Sequence, residues 1–562
     1  MGKIRFLLAI ISCSICANCF GQDQKDFDKL FTRWNDSIQK PGMAIAVIHE
    51  GRTILKEAVG FSNLEYQIPL DHKSIFDIAS LAKQFTGFAI ANLIKENKVD
   101  LTDSAYQYFP DLEILNKGIL LEHLVHHSSG LRDIGELFAL ANMGENLTAK
   151  ETLILLKNQQ DLNFTPGTEF DYSNTNYVLL ALIVEQISGI TFQEWCKLNI
   201  FSPLKMENTF VNNKPTQIIN NRAIAYYSNG NHFSFQQNNG MALIGSSAVY
   251  SSLDDMILWI NALESETVFP DEFNLMKQKG HLDNGDEIGY GFGLGIGKFR
   301  EEPIIEHSGA TPSGFRAQIA IVPNQSLAFI ILSNWGDISP IDDFGIEIIN
   351  RFIAELDTDL ETDNEEQKPV IGAPIILSQE IANRYVGDYL FNSELNVKIR
   401  QDGENNLTVQ LEDQPKVPLI PLTETKFDLP ALNSIIHFSF NSAGICETAD
   451  ILMGDRKEGE LRRIKLEEKA PINYKKYIGL YYCEELEIVF KINSENNRLF
   501  LTNTKQGEIN LKEKSNLIFI PENGIASSLS FNFNEAEEVD GFLLNRGSRV
   551  RNLRFTKLSI EN

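Results

Sequence analysis

"FDIASLAKQFTGFAI" (residues 76–90) carries a single lysine in a stretch that is otherwise almost wholly apolar. From Phe76 to Leu93 the only ionisable side chains are Asp77 and Lys83, while Ile78, Leu81, Ala82, Phe85, Phe88, Ala89 and Leu93 recur at helical spacing. The pattern predicts a helix over 76–96 that is apolar on nearly every side and therefore buried. Burial disfavours the charged form of an amine, so Lys83 is expected to have a lowered pKa unless an acid pairs with it. Residues three apart on a helix share a face, which puts the Lys83 amine within reach of the Ser80 hydroxyl. That pair has the chemistry of a nucleophile and its base.

The surrounding chain is long enough for several cores. Its 562 residues, 43% apolar and 10% aromatic, imply three or four ordinary domains rather than a disordered polypeptide. A formal net charge of -26 leaves no basic footprint for phosphates, which excludes a nucleic-acid partner and disfavours an anionic membrane surface. At the start, "MGKIRFLLAIISCSICANCFGQ" places Lys3 and Arg5 before an apolar run. It reads as a secretory signal peptide over 1–21, cleaved after Gly21, and so predicts a secreted or periplasmic protein. A lipid anchor is disfavoured, because Cys13 would leave a very short signal and Cys19 lacks small residues before it. No segment offers the length of a comfortable membrane span. Three of the six cysteines lie in the signal, and Cys196, Cys446 and Cys483 are too few and too odd in number for a disulfide framework. Cys196 falls in an apolar helical pattern and is expected to be a small buried hydrophobe.

Up to about residue 355, helical patterns at 76–96, 174–188 and 252–264 mix with strand-like runs such as "GMAIAVIHEG", "RAQIAIVP" and "LAFIILSN". Helices packed on an antiparallel sheet, an α+β domain over 22–355, are the expected result. Between Glu355 and Glu366 seven of twelve residues are acidic, and Pro369 and Pro374 follow, which predicts a solvated linker over 356–375. Beyond it the chain repeats itself. Tyr385-Val386-Gly387-Asp388-Tyr389 recurs 92 residues later as Tyr477-Ile478-Gly479-Leu480-Tyr481, and the same offset relates Asn405 to Asn497, Leu407 to Leu499, Phe427 to Phe519 and "LRRIKL" at 461 to "LRFTKL" at 553. A constant register predicts two similar all-β modules, 376–467 and 468–562, each a small antiparallel barrel. The repeated Tyr-Gly-Tyr positions suit packing and a close backbone approach rather than ligand contacts.

Two further segments strengthen the Ser80–Lys83 pair. "FDYSNTNYVLLALIVEQISG" sets Tyr172 and Asn174 in a polar turn before an apolar helix, where alone they would read as an interface aromatic and a helix cap. "PIIEHSGATPSGFRAQIAIVP" puts His307-Ser308-Gly309 on a strand before a turn. Together, in this order, the three segments resemble the serine β-lactamase and penicillin-binding-protein superfamily, in particular its class C β-lactamase-like branch of esterases and D-aminopeptidases. "LLEHLVHHSSGLRD" (120–133), "FTPGTEFDYSNTNYVLL" and "SSAVYSSLDDMILWI" resemble further segments of that family in the right order, over roughly 27–355. D-aminopeptidases of this branch also carry two barrels after the hydrolase domain, so the tail is expected to hold lipocalin-like barrels.

The resemblance implies that Ser80 is the acylated nucleophile, Lys83 its base, Tyr172 a proton carrier toward the leaving group and His307 a further member of the proton network. Asn174 would bind the substrate amide or carbonyl. Backbone donors of Ser80 and Ala310 would form the oxyanion hole, and Gly309 would let substrate lie against the strand. No cofactor is implied. Each oxyanion donor is typically worth on the order of a hundredfold in rate. Many relatives carry Lys-Thr-Gly or Lys-Ser-Gly where this chain has His307-Ser308-Gly309, and the loss of that fixed charge favours an esterase or aminopeptidase-like hydrolase of small esters and D-amino-acid peptides over a β-lactamase or DD-carboxypeptidase. Arg316 is expected to be an exposed strand-end arginine rather than a replacement charge. The competing reading is a non-catalytic peptidoglycan- or partner-binding protein on the same fold, which has little need of a complete proton-transfer set.

Two patterns are set aside. His123, His126 and His127 have metal-like spacing but no acidic third ligand follows, so no metal is expected. In "IGYGFGLGIGKF" glycines alternate from 289 to 297, without the spacing or following helix of a dinucleotide site, and a strand closely approached by another element is expected.

Overall fold

A computed structural model describes residues 40–337 and 473–559 with a few short breaks and 375–464 with more, while residues 1–39, nearly all of 338–374, 465–472 and 560–562 fall outside the description. The signal peptide over 1–21, its cysteines and almost all of the acidic linker therefore lie outside the described residues.

The first architectural unit is built on a six-stranded antiparallel sheet. Its strands are β1 (Met43–His49), β2 (Arg52–Val59), β3 (Gly295–Phe299), β4 (Glu302–Ala310), β5 (Arg316–Val322) and β6 (Leu327–Ser333), in the spatial order β3-β4-β5-β6-β1-β2. Alternation along β1 divides two cores. Ala44, Ala46 and Ile48 enter the large helix-facing cluster, and Met43, Ile45 and Val47 join Ile304, Val322, Phe329 and Ile331 on the opposite face. This two-sided burial explains why β1 and β6 read as continuous apolar runs.

Four helices matter for the site: α1 (Lys83–Lys95), α2 (Ile134–Leu140), α3 (Asn174–Ser188) and α4 (Leu253–Glu264). Helix α1 is buried on nearly all sides. Phe85 packs against Trp259 of α4 at 4.6 Å between ring centroids, and the Trp259 indole donates to Gln84 at 2.8 Å. Each fully buried phenylalanine contributes about 1.5–3 kcal/mol, which holds α1 as the central helix. Helix α3 spans the predicted 174–188 and stops at Gly189, whose φ of 73° supplies the left-handed cap. Helix α4 starts one residue later than expected because Ser252 serves as its cap, accepting from the Asp255 N–H at 3.2 Å.

Two expectations need correction. The helix does not begin at 76. Phe76–Asp77 is a short strand paired with Tyr250–Ser251, and a 3-10 turn at Ala79–Ala82 precedes α1. Long-range pairing and the left-handed Ala79 (φ 50°) override the helical periodicity there. The alternating glycines do not form one strand either. Only Gly295–Phe299 belongs to the sheet, while 289–294 turns back toward α1. The expected close approach is real: a Cβ on Gly293 (φ 77°) would meet the Lys83 carbonyl at 2.4 Å.

Residues 387–463 form a closed eight-stranded antiparallel barrel, from Gly387–Phe391 to Arg456–Arg463, with each strand paired to the next in sequence. A second closed barrel of eight strands runs from Gly479–Cys483 to Val550–Lys557. The repeated tyrosines do the same work in each. Tyr389 donates to the Tyr385 carbonyl at 2.8 Å and Tyr481 to the Tyr477 carbonyl at 2.6 Å, and both pairs are buried among phenylalanines. They are packing residues. Cys196, Cys446 and Cys483 are each free and buried.

The second barrel belongs to the same compact unit as the sheet-and-helix domain, while residues 356–472 form another unit. The hairpin between its last two strands lies against the segment that precedes α2. Arg132, fully buried, pairs with Glu485 of this barrel and donates to the Arg551 carbonyl at 3.1 Å. Arg546 pairs with Glu136, and Arg551 with Glu169 at 2.9 Å.

Candidate active site

Ser80 sits in the 3-10 turn just before α1. The preceding residue, Ala79, is held in its left-handed conformation by a hydrogen bond from its N–H to the Asp77 carboxylate at 2.9 Å. Burial raises the Asp77 carboxyl to about 6. Strand β4 closes over this turn at Gly309, where a Cβ would meet the Ile78 carbonyl at 2.6 Å and the Ser80 nitrogen at 3.1 Å. The close approach at Gly309 is thus made by the serine's own turn. Ala310, the last residue of β4, follows immediately.

Lys83 is wholly buried, and its amine has three oxygen neighbours: Ser80 Oγ at 3.2 Å, Asn174 Oδ1 at 2.9 Å and the Ser246 carbonyl at 2.8 Å. Desolvation pulls its pKa down to about 7; Asp133 opposes the shift and Arg549 reinforces it. The amine also lies 4.7 Å from the centre of the Tyr172 ring. Asn174 opens α3, and Asp133 fixes its amide. Asp133 Oδ2 accepts from the Asn174 backbone N–H at 2.6 Å and from its Nδ2 at 2.9 Å, which turns Oδ1 toward Lys83.

Burial drives the Tyr172 pKa well above that of a free phenol, an effect the neighbouring Ser80 hydroxyl partly offsets. That shift keeps the phenol protonated, and its hydroxyl has no partner in hydrogen-bond geometry among the described residues. The ring rests on His127 at 4.4 Å. His127 Nδ1 accepts from the Ser173 N–H at 3.2 Å and from Asn176 at 3.1 Å, and burial holds it neutral.

His307 is neutral as well, with burial lowering its pKa to about 3. Its Nδ1–H donates to the Ser308 carbonyl at 2.7 Å, which leaves Nε2 to accept from the Tyr290 hydroxyl at 2.9 Å. Its ring is 6.2 Å from that of Tyr172, with Tyr290 packed against both. Arg316 differs from expectation. It is half-buried, donating to the Thr311 and Phe315 carbonyls at 3.2 and 2.9 Å, and so is tied into the turn after β4.

Ser80, Lys83, Tyr172 and Asn174 therefore meet around one amine, and His307 stands beside Tyr172, hydrogen-bonded to Tyr290. Sequence reasoning missed Asp133, Tyr290 and Arg549. Asp133 stood inside a segment already matched to the family, Tyr290 was hidden in the glycine alternation, and nothing local marks Arg549. The three clustered histidines do not gather ligands: His126 Nδ1 bonds the Tyr290 carbonyl, and no group of three metal-type side chains is assembled among the described residues.

A turn-borne serine beside a desolvated lysine, under strand β4 of an antiparallel sheet, defines a serine-hydrolase-type enzyme of the penicillin-binding-protein and β-lactamase superfamily. A family model described as Beta-lactamase matches residues 27–345, and the chain belongs to that family. Penicillin-binding protein 4* of Bacillus subtilis (strain 168) is 26% identical over 464 residues, which span 79% of this chain and 99% of that protein. A D-aminopeptidase of Gluconobacter oxydans (strain 621H) is 27% identical over 297 residues, 52% of this chain and 56% of its own length. In fold, the chain is similar to the octameric penicillin-binding protein homologue from Pyrococcus abyssi, with a TM-score of 0.51 at 20% identity, covering 86% of this chain and 97% of that one. No single helix among the described residues is long and apolar enough to cross a membrane.

Proposed function

We propose that this enzyme hydrolyses small esters or D-amino-acid peptides and amides through an acyl-enzyme on Ser80. The observation that carries the reading is the set of oxygens around Lys83. A neutral amine has two N–H groups and one lone pair. Asn174 Oδ1 and the Ser246 carbonyl can only accept, so they take the two N–H groups, and the lone pair is left for the Ser80 hydroxyl. A pKa lowered to about 7 makes that neutral form abundant at working pH.

In this mechanism the Ser80 proton passes to Lys83 Nζ as Oγ bonds to the substrate carbonyl carbon. The resulting oxyanion is received by the N–H groups of Ser80 and Ala310. When the tetrahedral adduct collapses, the C–O or C–N bond breaks and Tyr172 protonates the departing group, recovering its proton from Lys83. Water then repeats the sequence on the acyl-enzyme, with Lys83 again the base, and releases the acid. Asn174 holds the substrate amide or carbonyl with what bonding capacity Lys83 and Asp133 leave it. His307 and Tyr290 form the outer end of the proton network.

A neutral His307 where many β-lactamases and penicillin-binding proteins carry a lysine favours these substrates over β-lactams and DD-carboxypeptidase substrates. We assign residues 1–21 to a signal peptide of a secreted or periplasmic protein, 22–355 to the hydrolase domain, 356–375 to a linker, and 376–467 and 468–562 to two barrel modules. The sequential strand order of both barrels supports a lipocalin-like description. A screen of aryl esters, D-amino-acid 4-nitroanilides and nitrocefin tests the assignment, with S80A as the control. Ester or D-anilide turnover that exceeds cephalosporin turnover and vanishes in S80A is expected; a preference for nitrocefin would overturn it.

A further inference from the structure

The turn at the tip of the second barrel's last hairpin brings one more charged group to this site. Its backbone is pinned there: the Arg549 carbonyl accepts from the Asp133 N–H at 3.0 Å and from Asn163 Nδ2 at 3.0 Å, and Ser548 donates to Asp171 at 2.8 Å. Anchored in this way, the Arg549 guanidinium lies 5.4 Å from the centre of the Tyr172 ring, the same ring that the Lys83 amine approaches at 4.7 Å.

Arg549 differs from its neighbours on the hairpin. Arg546 and Arg551 are matched to Glu136 and Glu169, whereas Arg549, half-buried, has no ion pair among the described residues. Asp171 meets its charge only through space, and both nearby acids hold other hydrogen bonds. Asp171 accepts from Ser548, and Asp133 caps α2 and binds Asn174. A guanidinium partly withdrawn from water, with no carboxylate in contact with it among the described residues, keeps its N–H groups for an anion supplied from outside, and its planar fork matches a carboxylate. His307 carries no charge here, so it cannot serve that purpose.

The geometry points to Arg549 as the specificity-determining residue of this site: it receives a carboxylate carried by the substrate, so that the second barrel completes the substrate pocket of the hydrolase domain. This rests on the acyl-enzyme reading above. The preferred substrates are then anionic esters or amides, although the chain as a whole carries a formal charge of -26.

Two matched ester pairs test the assignment on the full chain. 4-Nitrophenyl butyrate and mono-4-nitrophenyl glutarate place the charge on the acyl side, and methyl 4-acetoxybenzoate and 4-acetoxybenzoate place it on the leaving group. R549Q is expected to lower kcat/KM for the anionic member of at least one pair at least tenfold more than for its neutral partner, mainly through KM, with R549K recovering part of the loss. Should R549Q fold poorly, the native enzyme still reports: the same anionic ester should lose kcat/KM with rising ionic strength more steeply than its neutral partner. Equal effects of R549Q within both pairs, or equal salt dependence in the native enzyme, would overturn the carboxylate subsite while leaving the acyl-enzyme intact. Hydrolysis unaffected by S80A would instead overturn the acyl-enzyme reading and the subsite with it.

Discussion

Asp133 binds Asn174 twice, through the backbone N–H at 2.6 Å and the side-chain amide at 2.9 Å, while its other oxygen accepts from Gly135 N–H at 2.8 Å. One carboxylate thereby caps two helices and turns the Asn174 carbonyl oxygen toward Lys83. Its own N–H meanwhile holds the Arg549 carbonyl, so Asp133 ties the Ser80–Lys83–Asn174 cluster to the second barrel.

Replacing Asp133 by Asn should separate its two effects. Loss of charge-assisted hydrogen bonds, typically about 1.5–3 kcal/mol each, lets the Asn174 amide turn and should lower kcat roughly ten- to a hundredfold. Asp133 also supports the protonated form of Lys83, so without it the lysine pKa falls further. The acidic limb of kcat/KM should move to lower pH in D133N, measured on any Ser80-dependent ester. A limb that moves to higher pH would count against this placement of charge.

Lys83 is expected to serve catalysis at the expense of stability. Its pKa in the folded protein, about 7, lies below that of the unfolded chain, so the unfolded state binds the extra proton between roughly pH 7 and 10. Burial of the charged amine is most costly below pH 7, and the cost fades as pH rises toward 10. K83M should be inactive, and its denaturation midpoint relative to the native protein should be most favourable at pH 6 and decline steadily toward pH 10. A pH-independent difference would mean that the lysine is not desolvated.

Gly309→Ala tests the packing of β4 against the turn that carries Ser80. The added methyl would strike the Ile78 carbonyl at 2.6 Å, and rigid backbone on both sides leaves it nowhere to go. Overpacking of this kind costs about 1–3 kcal/mol. Displacement of Ser80 should lower kcat by more than roughly tenfold, since small misplacements of a nucleophile are costly. Calorimetry together with initial rates reads both effects.

Glu485→Gln leaves the fully buried Arg132 guanidinium without its charge partner. Breaking a buried pair from one side destabilises by about 3–5 kcal/mol. The second barrel should then loosen from the hydrolase domain, with faster hydrogen exchange at residues 546–551 before global unfolding. E485Q combined with R132M should recover part of the loss.

What could be read from the sequence follows from how local each feature is. The periodicity of 174–188 and the apolar runs of β1, β5 and β6 are set by residues adjacent in the chain, so these elements stood where expected. The repeat of Tyr385 and Tyr477 marked both barrels because each tyrosine packs within its own module. The start of α1 was misplaced because Phe76 and Asp77 are claimed by a strand at Tyr250–Ser251, a pairing no window of sequence contains. Asp133 and Arg549 were missed for the same reason. Neither is unusual among its neighbours, and each acquires its role only when three distant segments meet.

The most direct test of the central claim is the reaction of the native protein with a fluorophosphonate, followed by peptide mass mapping. One adduct on Ser80 is predicted, absent in S80A and formed at least roughly a hundredfold more slowly in K83M, in line with the loss of a general base. An adduct on another serine, or labelling of Ser80 at an undiminished rate without the lysine, would contradict the account.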